Sequence, residues 1–207
     1  MSRRFLVAVA LCCSAVSADI TAGPVVALPD GPIQGFTQDG VDAFRGIPYA
    51  APPVGDNRMR PPAKVEKWTK TLDATHWAPS CLQRGCAHTN LFPPTGKAWT
   101  TINVTQCSED CLYLNVYAPA GSSNQDDTSD TSGLPVMVYF HAGEFRYGAA
   151  NDEESNWPFF ANGQVILVTA NVRLGLQGFA ALDALRTRDP SGSTGNYGMQ
   201  DQRAVLS

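Results

Sequence analysis

Val136-Met-Val-Tyr-Phe140 and Val165-Ile-Leu-Val-Thr-Ala170 are short, continuous apolar runs, rich in β-branched residues and bounded by Pro or Gly. A run of this length with no polar alternation suits a strand covered on both faces. Both are therefore read as buried central strands. The first runs straight into His141-Ala-Gly-Glu144, a turn at the end of a sheet strand. Outward from this pair, Leu112 to Tyr117 alternates Leu, Leu, Val with Tyr, Asn, Tyr, the pattern of a half-buried strand. Val25–Leu28 and Ile33–Phe36 are predicted to pair across Pro29-Asp30-Gly31, since Asp-Gly is a hairpin turn signal. Pro48, Pro52, Pro53, Pro61 and Pro62 make the next stretch irregular, each fixing φ and removing a donor. From residue 78 to Cys111 lies a long loop carrying Cys81, Cys86, Cys107, Cys111 and Pro93-Pro94, which needs covalent ties. Gly121 to Gly133 holds only small and polar residues and serves as a solvated connector. Asn196 is expected to cap a last helix that includes Asp201 to Leu206. Strands of a covered sheet followed by a helix indicate an α/β class, with no internal repeat and no coiled coil.

The composition fits part or all of one globular domain: 207 residues, 43% apolar, 16% charged. Residues 1–18 are predicted to be a cleaved signal peptide. Arg3 and Arg4 precede the apolar run Phe5–Val16, and Val16-Ser17-Ala18 offers small residues for cleavage. That run is shorter than the about 20 residues a membrane span needs, and no later stretch could span. Without Arg3 and Arg4, 13 of the 15 Lys+Arg remain against 19 Asp+Glu, a net charge of -6. An acidic surface with no basic cluster excludes nucleic acid and anionic membranes as partners. Four cysteines remain after cleavage, an even number suited to an oxidising compartment. Their C-x4-C and C-x3-C spacing could also be read as zinc, but export favours disulfides, so no metal is expected. Asn103-Val-Thr105 is the only sequon and a predicted glycosylation site in a secreted loop.

Six pieces of sequence, in order, carry a more specific signal. They are Phe44-Arg-Gly-Ile-Pro-Tyr-Ala-Ala-Pro-Pro53; Leu72-Asp-Ala-Thr75 leading to Pro79-Ser-Cys-Leu-Gln83; and Ser108-Glu-Asp-Cys-Leu-Tyr-Leu-Asn-Val116. Leu134–Val138 with His141-Ala-Gly-Glu-Phe145 follows, then Thr169-Ala-Asn-Val-Arg-Leu-Gly175 with Gly178-Phe179, and Gly195-Asn-Tyr-Gly-Met-Gln-Asp-Gln202. In this order they resemble the type-B carboxylesterases, a family that includes cholinesterases and some fungal lipases. The resemblance implies an α/β-hydrolase fold. Its N-terminal part is expected here: a central mixed sheet with an N-terminal hairpin and a disulfide-tied loop, incomplete at its far end. It also implies ester hydrolysis through a Ser-His-Glu or Ser-His-Asp triad, with no cofactor. The substrate would be a small-molecule or lipid ester bound by the full-length parent.

Further roles follow from the resemblance. In this family the turn after a sheet strand gives two backbone N–H groups to the anionic tetrahedral intermediate; here these belong to Gly143 and Glu144. Ala142 and Glu144 stand where glycines are common. If position 142 needed positive φ, alanine would strain it by roughly 1 kcal/mol or more, and the Glu144 carboxylate must point away from an oxyanion. His141 is expected to pack in the turn. The resemblance pairs Arg45 with Glu109 and Arg173 with Asp201 as largely buried ion pairs. It joins Cys81 to Cys111, which leaves Cys86 and Cys107 to pair inside; by counting alone, three connectivities remain. The loop acts as a lid in the similar lipases and carries a substrate-facing aromatic in the cholinesterases, so Leu91, Phe92 and Trp99 are the substrate-loop candidates. Trp99 does not match the cholinesterase spacing to Cys111.

No Gly-x-Ser-x-Gly nucleophile elbow occurs in the 207 residues, and Gly192-Ser193-Thr194-Gly195 has the wrong spacing. His76, His88 and His141 all lie too early to be the family's base. Residues 19–207 are therefore expected to be the portion of a carboxylesterase domain that precedes its nucleophile. On its own it should be inactive and prone to aggregate, with the strand Val165–Ala170 exposing a sheet edge. The rival readings are a cholinesterase-like binding or adhesion module that has lost its nucleophile, and a truncated gene product. Oligomeric state is not set by the sequence.

Overall fold

A computed structural model describes residues 20–83, 86, 107–122, 133–151 and 165–207. The predicted signal peptide, the connector's interior, the substrate-loop candidates Leu91, Phe92 and Trp99, His88 and the sequon at Asn103 lie outside these residues.

The N-terminal half is a meander sealed by two tight turns. Strands β1 (Thr21–Leu28) and β2 (Gly31–Gln38) pair antiparallel with Leu28 opposite Gly31. Strand β3 (Val41–Pro48) returns against β2 with Val41 opposite Gln38. The second turn is Asp39-Gly40, with φ of 52° and 76°, the positive pair that matches hairpin twist. The prolines following residue 47 hid β3 from sequence reading, although Asp39-Gly40 is the same signal that located the first hairpin.

Beyond β3 lie the 3-10 turn η1 (Gly55–Asn57) and four strands: β4 (Leu72–Asp73), β5 (Ser80–Cys81), β6 (Cys107–Ser108) and β7 (Tyr113–Pro119). Strand β4 pairs parallel with β2, while β5 and β6 form a separate two-stranded ladder. Strands β8 (Val136–Phe140) and β9 (Ile166–Ala170) follow, then helices α1 (Gly175–Phe179), α2 (Asp183–Arg186) and α3 (Tyr197–Val205). The main sheet runs β1-β2-β3-β7-β9-β8, antiparallel except for the last pair.

This order corrects two expectations. Strand β9 is interior, between β7 and β8, so the described sheet edge is β8, and Val136 is 60% exposed. Strand β7, read as half-buried, is central: Asn115 and Tyr117 on its polar side are both buried. The polar residue is tolerated because it is bonded. Asn115 Nδ2 donates to Thr169 Oγ1 (2.9 Å), and Asn115 Oδ1 accepts from Gly46 N (3.0 Å). That last bond serves a bulge where Arg45 and Gly46 together oppose one residue of β7. The bulge frees two N–H groups; Asn115 takes one and the carbonyl of Ala74 the other, from Arg45 N at 2.7 Å.

The bulge also explains why Arg45 does not meet Glu109. Its guanidinium carbon lies 4.5 Å from the Phe36 ring centroid and 4.0 Å from that of Trp77, a stacked cation–π arrangement. Glu109 instead receives a bidentate pair from Arg58, Nε and Nη2 both at 2.5 Å, with Gln177 Nε2 at 3.1 Å. Nothing local in the sequence marked Arg58, which follows η1. Its hydrogen bonds and charge hold the Glu109 carboxyl below the usual range.

Arg173 and Asp201 do pair, fully buried, with side chains 2% and 0% exposed. One carboxylate accepts three N–H groups of the same residue: the backbone N (3.0 Å), Nε (2.9 Å) and Nη2 (2.6 Å) of Arg173. Arg173 Nη1 donates to the Arg60 carbonyl at 2.7 Å. The pair fastens α3 to the segment leaving β9. Asn196 stands at the N-cap of α3 but adopts φ 56° and makes no side-chain cap bond, contrary to the capping expectation. Its carbonyl accepts Gln200 N instead.

Candidate oxyanion turn

Strand β8 ends at Phe140, and the chain folds back on itself over 141–148. Parallel strands present their carboxyl ends to ligands in α/β sheets, and β8 and β9 are the parallel pair of the main path. The local sequence makes the turn possible. Gly143 has φ +127°, and a Cβ there would lie 1.9 Å from the Tyr147 carbonyl oxygen. Gly148 has φ +115°, and a Cβ would lie 2.1 Å from His141 Nδ1. Only glycine permits both close approaches. The Gly143 carbonyl accepts Arg146 N (2.9 Å) and Tyr147 N (3.2 Å), closing the turn.

Positive φ falls at Gly143, Glu144 (56°) and Phe145 (58°), and not at Ala142. The strain anticipated at Ala142 is therefore absent, and two non-glycine residues further on carry left-handed backbone. The Glu144 side chain is 75% exposed and lies 3.9 Å from Arg146 Nη1, directed to solvent. Among the described residues the N–H groups of Gly143 and Glu144 donate to no partner, while the turn's carbonyls at 143 and 145 are engaged. His141 packs within the turn, its Nδ1 3.0 Å from the Ala142 oxygen.

Three segments anchor the turn and the residues just after it from outside. Gly175 N, at the start of α1, donates to Phe145 O at 2.8 Å, and the Phe145 and Phe179 rings lie 5.2 Å apart. Asn171 Oδ1 accepts Ala150 N at 2.8 Å. Gln83 bonds Gly148 on both its N–H and its carbonyl. Beside the turn opens a cavity of about 620 Å³ whose lining includes Leu82, Gln83, Arg146, Tyr147, Leu174 and Leu176. Sequence reading singled out none of Gln83, Asn115 or Asn171 for a role; each is a lone amide whose partner lies far along the chain.

The cysteines pair as Cys81–Cys111 and Cys86–Cys107, nested one inside the other. All four thiols are consumed, so the zinc reading falls, and no metal-binding cluster of His, Cys, Asp or Glu occurs among the described residues. No helix among them is long and apolar enough to cross a membrane.

The chain is similar to known proteins. Fumonisin B1 esterase of Sphingopyxis macrogoltabida is 38% identical over 90% of this chain and 33% of its own length. Neuroligin-3 of Mus musculus is 36% identical over 80% of this chain and 22% of its own. The solved structure of a thermophilic PNB esterase superposes with a TM-score of 0.69 at 37% identity, covering 88% of this chain and 34% of that one. The chain thus spans about a third or less of the length of these relatives. Residues 22–207 match the Carboxylesterase family, and the chain is a member of it.

Proposed function

We propose that this chain builds the oxyanion-hole side of a carboxylic-ester hydrolase. The observation that carries the reading is the pair of uncommitted N–H groups at Gly143 and Glu144, held in a turn at the carboxyl end of β8. When a serine attacks an ester carbonyl, charge develops on the carbonyl oxygen. Donors fixed in advance stabilise that charge without reorganising. The outward Glu144 carboxylate leaves the donors free of a competing negative charge. The nucleophile, acid and base would come from residues outside these 207, since no elbow sequence occurs in them. The cavity beside the turn, lined by Leu82, Leu174 and Leu176 with Gln83 and Arg146 as polar groups, has room for an ester of small to moderate size. Export belongs to the same reading; the short apolar run after Arg3 and Arg4 and the two disulfides support it.

The test is hydrolysis of a short-chain nitrophenyl ester by the full-length protein and its Gly143→Ala variant. A Cβ at position 143 collides with the Tyr147 carbonyl and displaces the donors. The variant should lose about 10²-fold or more in kcat. Equal kcat in the two proteins overturns the assignment of the donors. Residues 19–207 alone should show no turnover.

A second reading is a binding module without hydrolysis. The neuroligin-3 match and the glutamate at position 144 favour it. Absence of turnover in the full-length protein, with no serine elbow in its sequence, would establish that reading over the first.

A further inference from the structure

The turn is tethered to the disulfide-tied loop by one side chain. Gly148 N donates to Gln83 Oε1 at 2.7 Å, and Gln83 Nε2 donates to Gly148 O at 2.8 Å. The same Nε2 also donates to the Cys81 carbonyl at 3.1 Å. A primary amide thus pairs with the two polar groups of a single glycine, as one strand residue pairs with another. Gln83 is itself fixed. Cys81 is buried and bonded to Cys111, and Gln83 N lies 3.4 Å from Sγ of Cys86, which is bonded to Cys107. The disulfides therefore set where the amide stands.

From Gly148 the contact passes into the turn. The space a Cβ would take at Gly148 is filled by His141 Nδ1 and the Ala142 carbonyl, at 2.1 and 2.5 Å from that position. Ala142 O belongs to the same peptide unit as Gly143 N. If Gly148 moves, the His141 ring and the Ala142–Gly143 peptide can move with it, and that peptide carries the first oxyanion donor.

We propose that Gln83 is a positioning residue for the oxyanion turn, its amide holding Gly148 and thereby the aim of the Gly143 and Glu144 N–H groups. The catalytic consequence rests on the esterase reading above; the tether does not. Gln83 touches no reacting atom. Its effect is on the transition state, because the donors matter most when the oxygen bears charge.

The experiment compares full-length wild type with Gln83→Met, which keeps length and loses all three bonds, and with Gln83→Glu. Hydrogen exchange by mass spectrometry is followed in the peptide spanning 141–150 and in peptides from β3 and β7. Steady-state kinetics use p-nitrophenyl butyrate. Gln83→Met should speed exchange in 141–150 by about 10-fold or more with β3 and β7 unchanged. It should lower kcat by about 10- to 100-fold, a larger change than in KM, which can also move because Gln83 lines the cavity beside the turn. In Gln83→Glu an ionised carboxylate would face the Gly148 and Cys81 carbonyls, which raises its pKa. Protonation restores one donor beside one acceptor. The ratio of its kcat to wild type should therefore climb as pH falls through that raised pKa, whereas the Gln83→Met ratio stays flat. Unchanged exchange in 141–150 overturns the tether. Faster exchange with wild-type kcat overturns the positioning role. A wild type without turnover overturns the esterase reading instead, and the exchange arm still decides the tether.

Discussion

The two ends of the main sheet are built by different means. At one end β1, β2 and β3 are joined by turns of two residues, Pro29-Asp30 and Asp39-Gly40, and each strand finds its partner next in sequence. At the other, β8 and β9 are parallel neighbours separated by 25 residues, and β9 inserts between β8 and β7. The structures that follow these two strands are held by side chains from distant segments: Gln83 and Asn171 for the turn after β8, Asp201 for the exit of β9. Two-residue turns close the first end, helped by backbone bonds from Trp68 N to the Asp30 carbonyl (2.8 Å) and from Ala120 N to that of Gly40 (2.9 Å), whereas side chains from distant segments anchor the second. Damage should therefore be graded, mild in the hairpins and severe in the anchors.

Asp201→Ala presses hardest on that contrast. It removes the partner of an arginine with no access to water and frees α3 from the segment after β9. A loss of about 3–5 kcal/mol is expected, read by chemical denaturation of the full-length protein. A loss under about 1 kcal/mol would erase the distinction, because it would put the anchor on a par with an exposed pair.

Gly40→Ala probes the local end. Position 40 has φ 76°, so alanine is strained there. The cost should be about 1–2 kcal/mol with the register of β2 and β3 intact. A cost matching Asp201→Ala would mean that the distant bond from Ala120 N to the Gly40 carbonyl, and not the turn's own backbone, holds the hairpin.

Glu109→Gln should have the smallest effect, a constant deficit at neutral pH that disappears in acid. Arg58 depresses the Glu109 pKa, so the unfolded chain binds more protons than the folded one in that window. The pair's contribution is present above the carboxylate's ordinary pKa of about 4.3 and is lost as pH falls through the lower folded value. Wild-type Tm should therefore fall more steeply than that of the variant below that pH, and the two should run parallel at neutral pH. Parallel curves throughout would show that the exposed Arg58 contact does not hold in solution.

The sequence by itself determined the class of fold, the hairpin at Asp30-Gly31, the strand at Val136–Phe140 and the turn that leaves it. These depend on periodicity and turn chemistry, which act over a few residues. The motif order further pointed to the Cys81–Cys111 bridge and to the pairing of Arg173 with Asp201. Only the tertiary structure decided which strand lies at the edge, since strand order depends on crossover and not on composition. The structure also decided that Arg58, and not Arg45, meets Glu109: a bulge of one extra residue turns Arg45 toward Phe36 and Trp77. Gln83 shows the same limit. Its spacing to Cys81 is visible in the sequence, but its work lies 65 residues away at Gly148. A single amide carries no periodic signal, so its partner emerges only when the tertiary fold brings the two segments together.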